Sequence, residues 1–228
     1  MQRTLTSLLF ISLFIFTCGF TGSFNASHYG VNGWVNSEMR SLESETHINP
    51  EALRTGLEAY ATAHARGMDH KEILTIIDFS EPSTAKRMWV FDLRDQRLLF
   101  NTWVSHGRNS GDVDATSFSN ANSSLKSSIG VFVTTTPYVG HDGYSLRVTG
   151  LEPGINDHAM SRDIVFHGAD YVNAAIISRY GRIGRSWGCF AVNKKLIDPI
   201  VNDIKNNTVV VAYYPDRYWL NHSQFLVA

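Results

Sequence analysis

From Ile73 onward the chain is a succession of short apolar runs broken by turn residues, and this punctuation constrains the fold more than any other feature of the sequence. The runs are Ile73 to Phe79, Met88 to Leu93, Leu98 to Val104, Gly130 to Thr134, Tyr144 to Val148, Ile164 to Phe166, Phe190 to Val192 and Val209 to Tyr214. Eight short strands at fairly regular spacing predict a mainly β fold, a sandwich or barrel with a few helices. Arg94-Asp95-Gln96 between two of the runs reads as a hairpin turn. Two helices interrupt the pattern. One runs from Asp170 to Tyr180 and is stopped by Gly181; the other runs from Lys194 to Lys205, where Ile197, Ile200, Val201 and Ile204 share a face. Between Ser105 and Ser128 lies a segment dense in Ser, Asn, Gly and Asp. So long a loop in a compact domain is often a binding loop or lid.

The region before the strands divides in two. The first residues, MQRTLTSLLFISLFIFTCGFTGS, have a basic start at Arg3, an uncharged Leu/Phe/Ile run from Leu8 to Phe16, and small residues around Cys18 to Ser23. That is the layout of a secretory signal peptide. Its apolar run is about half of the roughly 20 residues a bilayer requires. Export with cleavage between residues 19 and 26 is therefore expected, leaving no integral membrane segment. The mature protein is expected in the periplasm or cell envelope, or outside the cell. Ile15, Phe16 and Thr17 fit a lipoprotein box before Cys18 poorly. Asn25 to Asn49 is polar, without clear period, and is expected to run over the surface. Asn49 then reads as an N-cap, with Pro50 at the first helical position, Leu53, Leu57, Tyr60 and Ala61 on one face, and an end near Gly67. The chain thus divides into a signal of about residues 1–23, an N-terminal polar segment with a helix over 24–70, and a strand-rich domain over 71–228.

Composition narrows the function classes. Lys+Arg 20 against Asp+Glu 21 leaves no basic excess, so nucleic acid is not an expected partner. With 43% hydrophobic residues in a chain of 228, there is material for one globular core. The chain has two cysteines, too few for a disulfide scaffold. If Cys18 leaves with the signal, Cys189 is alone in an oxidising compartment. Such a thiol either has a chemical role or is buried and inert.

The stretch from Asp163 to Asn193 carries the chemistry. Ile164-Val165-Phe166 delivers His167-Gly168 at a strand end, and Arg185-Ser186-Trp187-Gly188-Cys189 is a tight turn entering another strand. A thiol of ordinary pKa is only a few per cent thiolate at neutral pH, so a nucleophilic cysteine needs local help. Arg179, Arg182, Arg185, Lys194 and Lys195 flank Cys189, and no carboxylate lies between Tyr171 and Ile197. A cationic field of this kind favours the thiolate, and His167 could take the thiol proton and return it to a leaving amine. Gly188 leaves the turn free of a side chain, so the N–H groups of Gly188 and Cys189 could face an oxyanion. Gly168 lets the chain close around the imidazole, and a backbone carbonyl there could fix its tautomer. The bland readings stay open. Cys189 could be a small buried hydrophobe, the basic cluster a solvated face, and His167 a core histidine like His106, which also precedes a glycine. A zinc hydrolase using His106, His141, His158 and His167 lacks any HExxH-like spacing, and neither metal nor cofactor is expected.

Ser186-Trp187-Gly188-Cys189 with the strand-borne His167-Gly168 resembles the catalytic domain of YkuD-type L,D-transpeptidases. The wider run resembles the murein L,D-transpeptidase catalytic domain proteins over roughly residues 50 to 220. It includes Trp89 to Leu93, Ser105 to Gly111, Phe118-Ser119-Asn120, Ser127 to Gly130 and Gly181 to Ser186. The resemblance implies a cysteine enzyme of the bacterial cell wall with peptidoglycan stem peptides as its partners. A thiolate attacks the amide before a terminal D-residue, and the acyl group passes to an amine of a second stem. Carried over by position, Cys189 is the nucleophile, His167 the base and acid, Gly168 its backbone support, and Ser186 and Gly188 parts of the active-site turn. Three departures stand out: Trp187 occupies the place of a second histidine, Ala191 replaces an Arg or Asn often found shortly after the cysteine, with Asn193 one step beyond the usual Arg position, and the His167 to Cys189 interval is longer than usual. Arg182 and Arg185 are candidates for stem carboxylates, with Trp187, Ser119 and Asn120 as further substrate contacts. Water as acceptor would make the protein an L,D-carboxypeptidase or hydrolase, and loss of chemistry would leave a peptidoglycan-binding module.

Overall fold

A computed structural model describes residues 30–226; the expected signal segment and its cleavage site lie outside the described residues. All eight expected strands are present. They are β1 (Ile73–Asp78), β2 (Met88–Asp92), β3 (Arg97–Thr102), β4 (Gly130–Gly140), β5 (Gly143–Gly150), β6 (Val165–Ala169), β7 (Phe190–Asn193) and β8 (Val209–Tyr213). They form one sheet in the order β3-β2-β1-β8-β4-β5-β6-β7. The pairs β1/β8 and β6/β7 are parallel and the rest antiparallel. The central strands β1 and β8 are buried along their whole length, which is why their sequences, ILTIID and VVVAY, are nearly continuous apolar runs.

The two edges of the sheet come together just past β3. Val104 bridges Val192 of β7, the Ser105 N–H donates to the Ala191 carbonyl at 2.8 Å, and Gly107 bridges Ser186. The sheet is therefore nearly closed and barrel-like, and the closure brings the segment after β3 against the turn that carries Cys189.

The helices are α1 (Gly30–Thr46), α2 (Pro50–Ala65), α3 (Ala174–Tyr180), α4 (Ile197–Ile204) and α5 (Arg217–His222). Asn49 caps α2 as expected, its side chain accepting from the Glu51 N–H. The reading of residues 25–49 as an aperiodic surface segment fails from Gly30 onward. Val35, Met39 and Leu42 are buried on one face of α1 and join the same core as α2 and the sheet. With only three core residues in a Ser/Asn/Glu-rich stretch, their 4-3 spacing is easily missed. Helix α3 starts later than expected because Asn173 caps it by accepting from the Ile176 N–H, and it ends at left-handed Gly181 as expected. Helix α5 was not expected. Asp216 caps it, and its Trp219 is buried with the indole N–H donating to Glu152. Strand β4 runs past a register shift between Thr134 and Pro137, so the β4–β5 hairpin is longer than its apolar core suggests. Its tip carries His141 and Asp142. None of the helices among the described residues is long and apolar enough to cross a membrane.

Candidate active site

Parallel register sets the pair. Phe166 lies opposite Phe190 and His167 opposite Ala191, so Cys189, one residue before β7, sits beside the His167 strand. Phe166 and Phe190 are both fully buried and pack with ring centroids 5.0 Å apart, anchoring the two strands beneath the site. Cys189 and His167 line one cavity of about 310 Å³ with His141, Asp142, Tyr171, Arg185, Ser186 and Trp187. The Cys189 side chain is half-buried, and its Sγ donates to the Asp163 carbonyl at 3.4 Å.

The turn before the nucleophile is closed by hydroxyls. Ser186 Oγ donates to the Cys189 carbonyl at 2.7 Å and accepts from the Gly188 N–H at 3.1 Å. Ser127 Oγ donates to the Gly188 carbonyl at 3.2 Å, and the Ser186 N–H donates to the His106 carbonyl at 3.0 Å. Glycine at 188 is a requirement of geometry: its φ is +126°, and a Cβ there would stand 2.7 Å from the Lys126 carbonyl oxygen. The expectation that the Gly188 N–H faces an oxyanion is corrected, because the serine hydroxyl two residues earlier has taken that donor.

His167 is buried, and its Nδ1 lies 3.2 Å from the Gly168 carbonyl oxygen and 3.7 Å from Asp142 Oδ2. The Gly168 carbonyl facing Nδ1 places the ring proton there and leaves the Nε2 lone pair without a partner among the described residues. Gly168 allows this strand to lie close to the segment between β7 and α4, since a Cβ would meet Ile197 at 2.9 Å and Lys194 at 3.1 Å. Burial pushes the Tyr171 hydroxyl up to about 12, so it stays a neutral donor in the cavity. Asp142 escaped the sequence reading because a lone Asp at a hairpin tip carries no motif. Only the long β4–β5 hairpin brings it over β6.

The expected cationic field is also corrected. Burial pushes the Cys189 thiol up, the Val165 N–H and Arg162 pull it back, and Asp142 and Asp163 add to the rise. Arg182 and Arg185 instead pair with Asp112 at 2.8 and 3.3 Å, and Lys194 pairs with Asp170 at 2.9 Å. Arg185 also donates to the Gly111 carbonyl at 2.8 Å. These carboxylates lie outside the Tyr171–Ile197 window or far from it in sequence, so local charge counting could not see them. The resting group is a neutral thiol beside an imidazole with a free Nε2.

Of the remaining expected contacts, Trp187 lines the cavity and is 70% exposed. Ser119 and Asn120 do not line the cavity. The Ser119 carbonyl accepts from Arg162 and Ser128, and Asn120 bonds Asp157 at 2.7 Å and the His158 N–H at 3.0 Å. The Ser105 to Ser128 segment is packed rather than lid-like, with Ser105, His106, Ser110, Ser127 and Ser128 buried. Its main fastener is Arg162, which sequence reasoning overlooked: Nη2 donates to Ser124 Oγ at 3.1 Å and to the Lys126 carbonyl at 2.6 Å. Between this loop and Trp187 is a second cavity of about 370 Å³, lined also by Asn122, Leu125, Arg162 and Asp163. A cavity of about 390 Å³ lies elsewhere, around Lys71, Arg94 and Arg97. Those cations are held by the Asp203 carbonyl, Glu72 and Asp92.

The L,D-transpeptidase catalytic domain family matches residues 44–213, a span that contains α2, every strand, His167 and Cys189. Comparison with curated proteins gave no match. Among solved structures the chain is similar to LD transpeptidase LdtMt1, described in complex with imipenem. The identity is 12%, with a TM-score of 0.36, over 62% of this chain and 67% of that one. A likeness that distant carries no argument. The family match covers most of the chain and both members of the Cys–His pair, and by it the chain belongs to the L,D-transpeptidase catalytic domain family.

Proposed function

We propose that the protein is an exported cysteine L,D-transpeptidase that remodels or cross-links peptidoglycan through an acyl-enzyme on Cys189. The observation that carries this reading is the meeting of Cys189 and His167 in one cavity, with Nδ1 of the imidazole facing the Gly168 carbonyl. His167 Nε2 takes the thiol proton as Sγ bonds to the carbonyl carbon of the stem amide. The C–N bond then breaks, the same proton passes to the departing D-amino acid, and a thioester remains. Removing the proton during attack is what a thiol held neutral by burial requires. The Cys189 N–H and the Tyr171 hydroxyl are the donors at hand for the carbonyl oxygen, while Ser186 and Gly188 hold the turn. An amine of a second stem then attacks the thioester and Cys189 is regenerated.

Transfer is favoured over hydrolysis because cavities on both sides of Trp187 give separate places for two peptide chains. Arg185 lines the first of these, whereas Arg182 holds Asp112. The test is turnover of a synthetic stem tetrapeptide followed by mass spectrometry. Wild type is expected to release the terminal D-amino acid and form a cross-linked product, and Cys189→Ala is expected to do neither. Undiminished turnover by Cys189→Ala would overturn the reading. Export is tested separately by the N-terminal mass of protein recovered from the native cell envelope, expected to start between residues 20 and 26.

A further inference from the structure

We propose that Asp142 receives the ammonium group of the acceptor, and is the residue that favours an amine over water at the acyl-enzyme. This inference rests on the acyl-transfer reading above. Asp142 sits at the tip of the β4–β5 hairpin with its side chain half-exposed, and it lines the same cavity as Cys189 and His167. Among the residues lining that cavity it is the one carboxylate. Among the described residues the basic group near it is the His167 ring, whose Nδ1 lies 3.7 Å away. The cavity's guanidinium, Arg185, is tied to Asp112 and to the Gly111 carbonyl and is not available to neutralise it.

An anion in this place works against the first half of the reaction, because Asp142 raises the Cys189 thiol and the Tyr171 hydroxyl. It is not needed to set the imidazole, since the Gly168 carbonyl lies nearer Nδ1, at 3.2 Å, and 3.7 Å is beyond hydrogen-bond length. Its advantage appears in the second half. Once the D-amino acid has left, the thioester carries no charge, and Asp142 is the carboxylate facing it across the cavity. An aliphatic amine reaches it as an ammonium ion at neutral pH. The ammonium docks on the carboxylate beside His167, and His167 Nε2 takes one proton. The amine nitrogen bonds to the thioester carbon and the C–S bond breaks. The nitrogen's second proton goes to the departing Cys189 sulfur, leaving an amide, a thiol and an imidazolium. Water carries no charge and gains nothing from Asp142.

The experiment uses the full chain and a donor tetrapeptide whose side-chain amine is acetylated. The acceptor is a stem tripeptide with a free side-chain amine, and transfer and hydrolysis products are counted in one reaction. A half-exposed ion pair supports a preference of about two- to fivefold. Asp142→Asn is expected to lower the transfer-to-hydrolysis ratio by about that factor through a higher acceptor KM, with first-turnover release of the D-amino acid little changed. Asp142→Glu is expected to restore most of the ratio. In wild type the ratio should fall with added salt, and in Asp142→Asn it should not. An unchanged ratio in Asp142→Asn would overturn the inference. So would an equal drop in first-turnover release, which would mean that Asp142 acts through His167. Absence of any D-amino acid release by wild type would instead remove the acyl-transfer reading on which the inference stands.

Discussion

Acid should loosen this protein through a residue that never touches substrate. His106 is fully buried, and its Nδ1 accepts from Arg87 Nη2 at 2.8 Å. Arg87 is itself fully buried, donating through Nε and Nη2 to the Val104 carbonyl at 3.2 and 3.1 Å and through Nη1 to the Glu81 carbonyl at 2.8 Å. Protonating His106 would set a second cation against that guanidinium in a dry interior. Burial first, and Arg87 second, push its pKa down to about 4 from an ordinary 6.5. Between those values the unfolded chain binds the proton and the folded chain does not, so stability is full above pH 6.5 and falls as the pH drops toward 4. From pH 7 to pH 5 the loss is about 2 kcal/mol. At a urea slope of about 2 kcal/mol per molar, that moves the unfolding midpoint by about 1 M. Burial raises the pKa of Glu38, Asp78 and Glu152, which works in the opposite sense, so the total slope is a sum. His106→Asn isolates the histidine, because the amide oxygen can still accept from Arg87 and nothing at 106 then titrates. Between pH 7 and pH 5 the urea midpoint should fall further in wild type than in His106→Asn, by about 1 M. The same loss in both proteins would refute the assignment. Because the His106 carbonyl receives the Ser186 N–H, reactivity of Cys189 should decay alongside stability.

Other perturbations test separate parts of the site. Gly188→Ala forces a side chain into φ +126° and against the Lys126 carbonyl. It should cost about 1–3 kcal/mol and slow labelling of Cys189, whereas wild-type values in thermal unfolding and mass labelling would show that the turn has room. Arg162→Met removes donors to the Ser119 and Lys126 carbonyls, and should cost about 2 kcal/mol and open residues 119–126 to limited proteolysis. A protease-resistant loop would contradict its role as fastener. His167→Ala should slow acylation by about 10²–10⁴ at neutral pH and recover part of it in strong base, where the buried thiol ionises unaided. An equal deficit at every pH would remove His167 as the base.

The fold was legible because its signal is local. Eight apolar runs bounded by turn residues each became a strand, and Asn49-Pro50 marked the start of α2. Helix α1 was hidden because Val35, Met39 and Leu42 are its buried apolar residues in an otherwise polar stretch, so tertiary packing decides its conformation. The same division runs through the site. Cys189, His167 and Gly188 announce themselves by strand-end placement and the glycine turn, and Ser186 by the resemblance of Ser186-Trp187-Gly188-Cys189 to the family motif. Asp142 and Arg162 arrive from a hairpin tip and a turn, 47 and 27 positions before the cysteine, and only three-dimensional closure brings them in. Arg182 and Arg185 misled because both are drawn onto Asp112, 70 and 73 positions upstream of them, and away from the thiol. Ser119 and Asn120 misled for a related reason: a polar loop looks available until its hydrogen bonds are counted.

The central claim is that Cys189, protonated at rest, becomes an acyl carrier when His167 takes its proton. Intact-mass analysis of the purified protein with a carbapenem tests it most directly. The account predicts a one-to-one adduct at neutral pH that is absent from Cys189→Ala and strongly slowed in His167→Ala. An adduct that persists in Cys189→Ala, or a folded wild-type protein that takes no adduct, would contradict it.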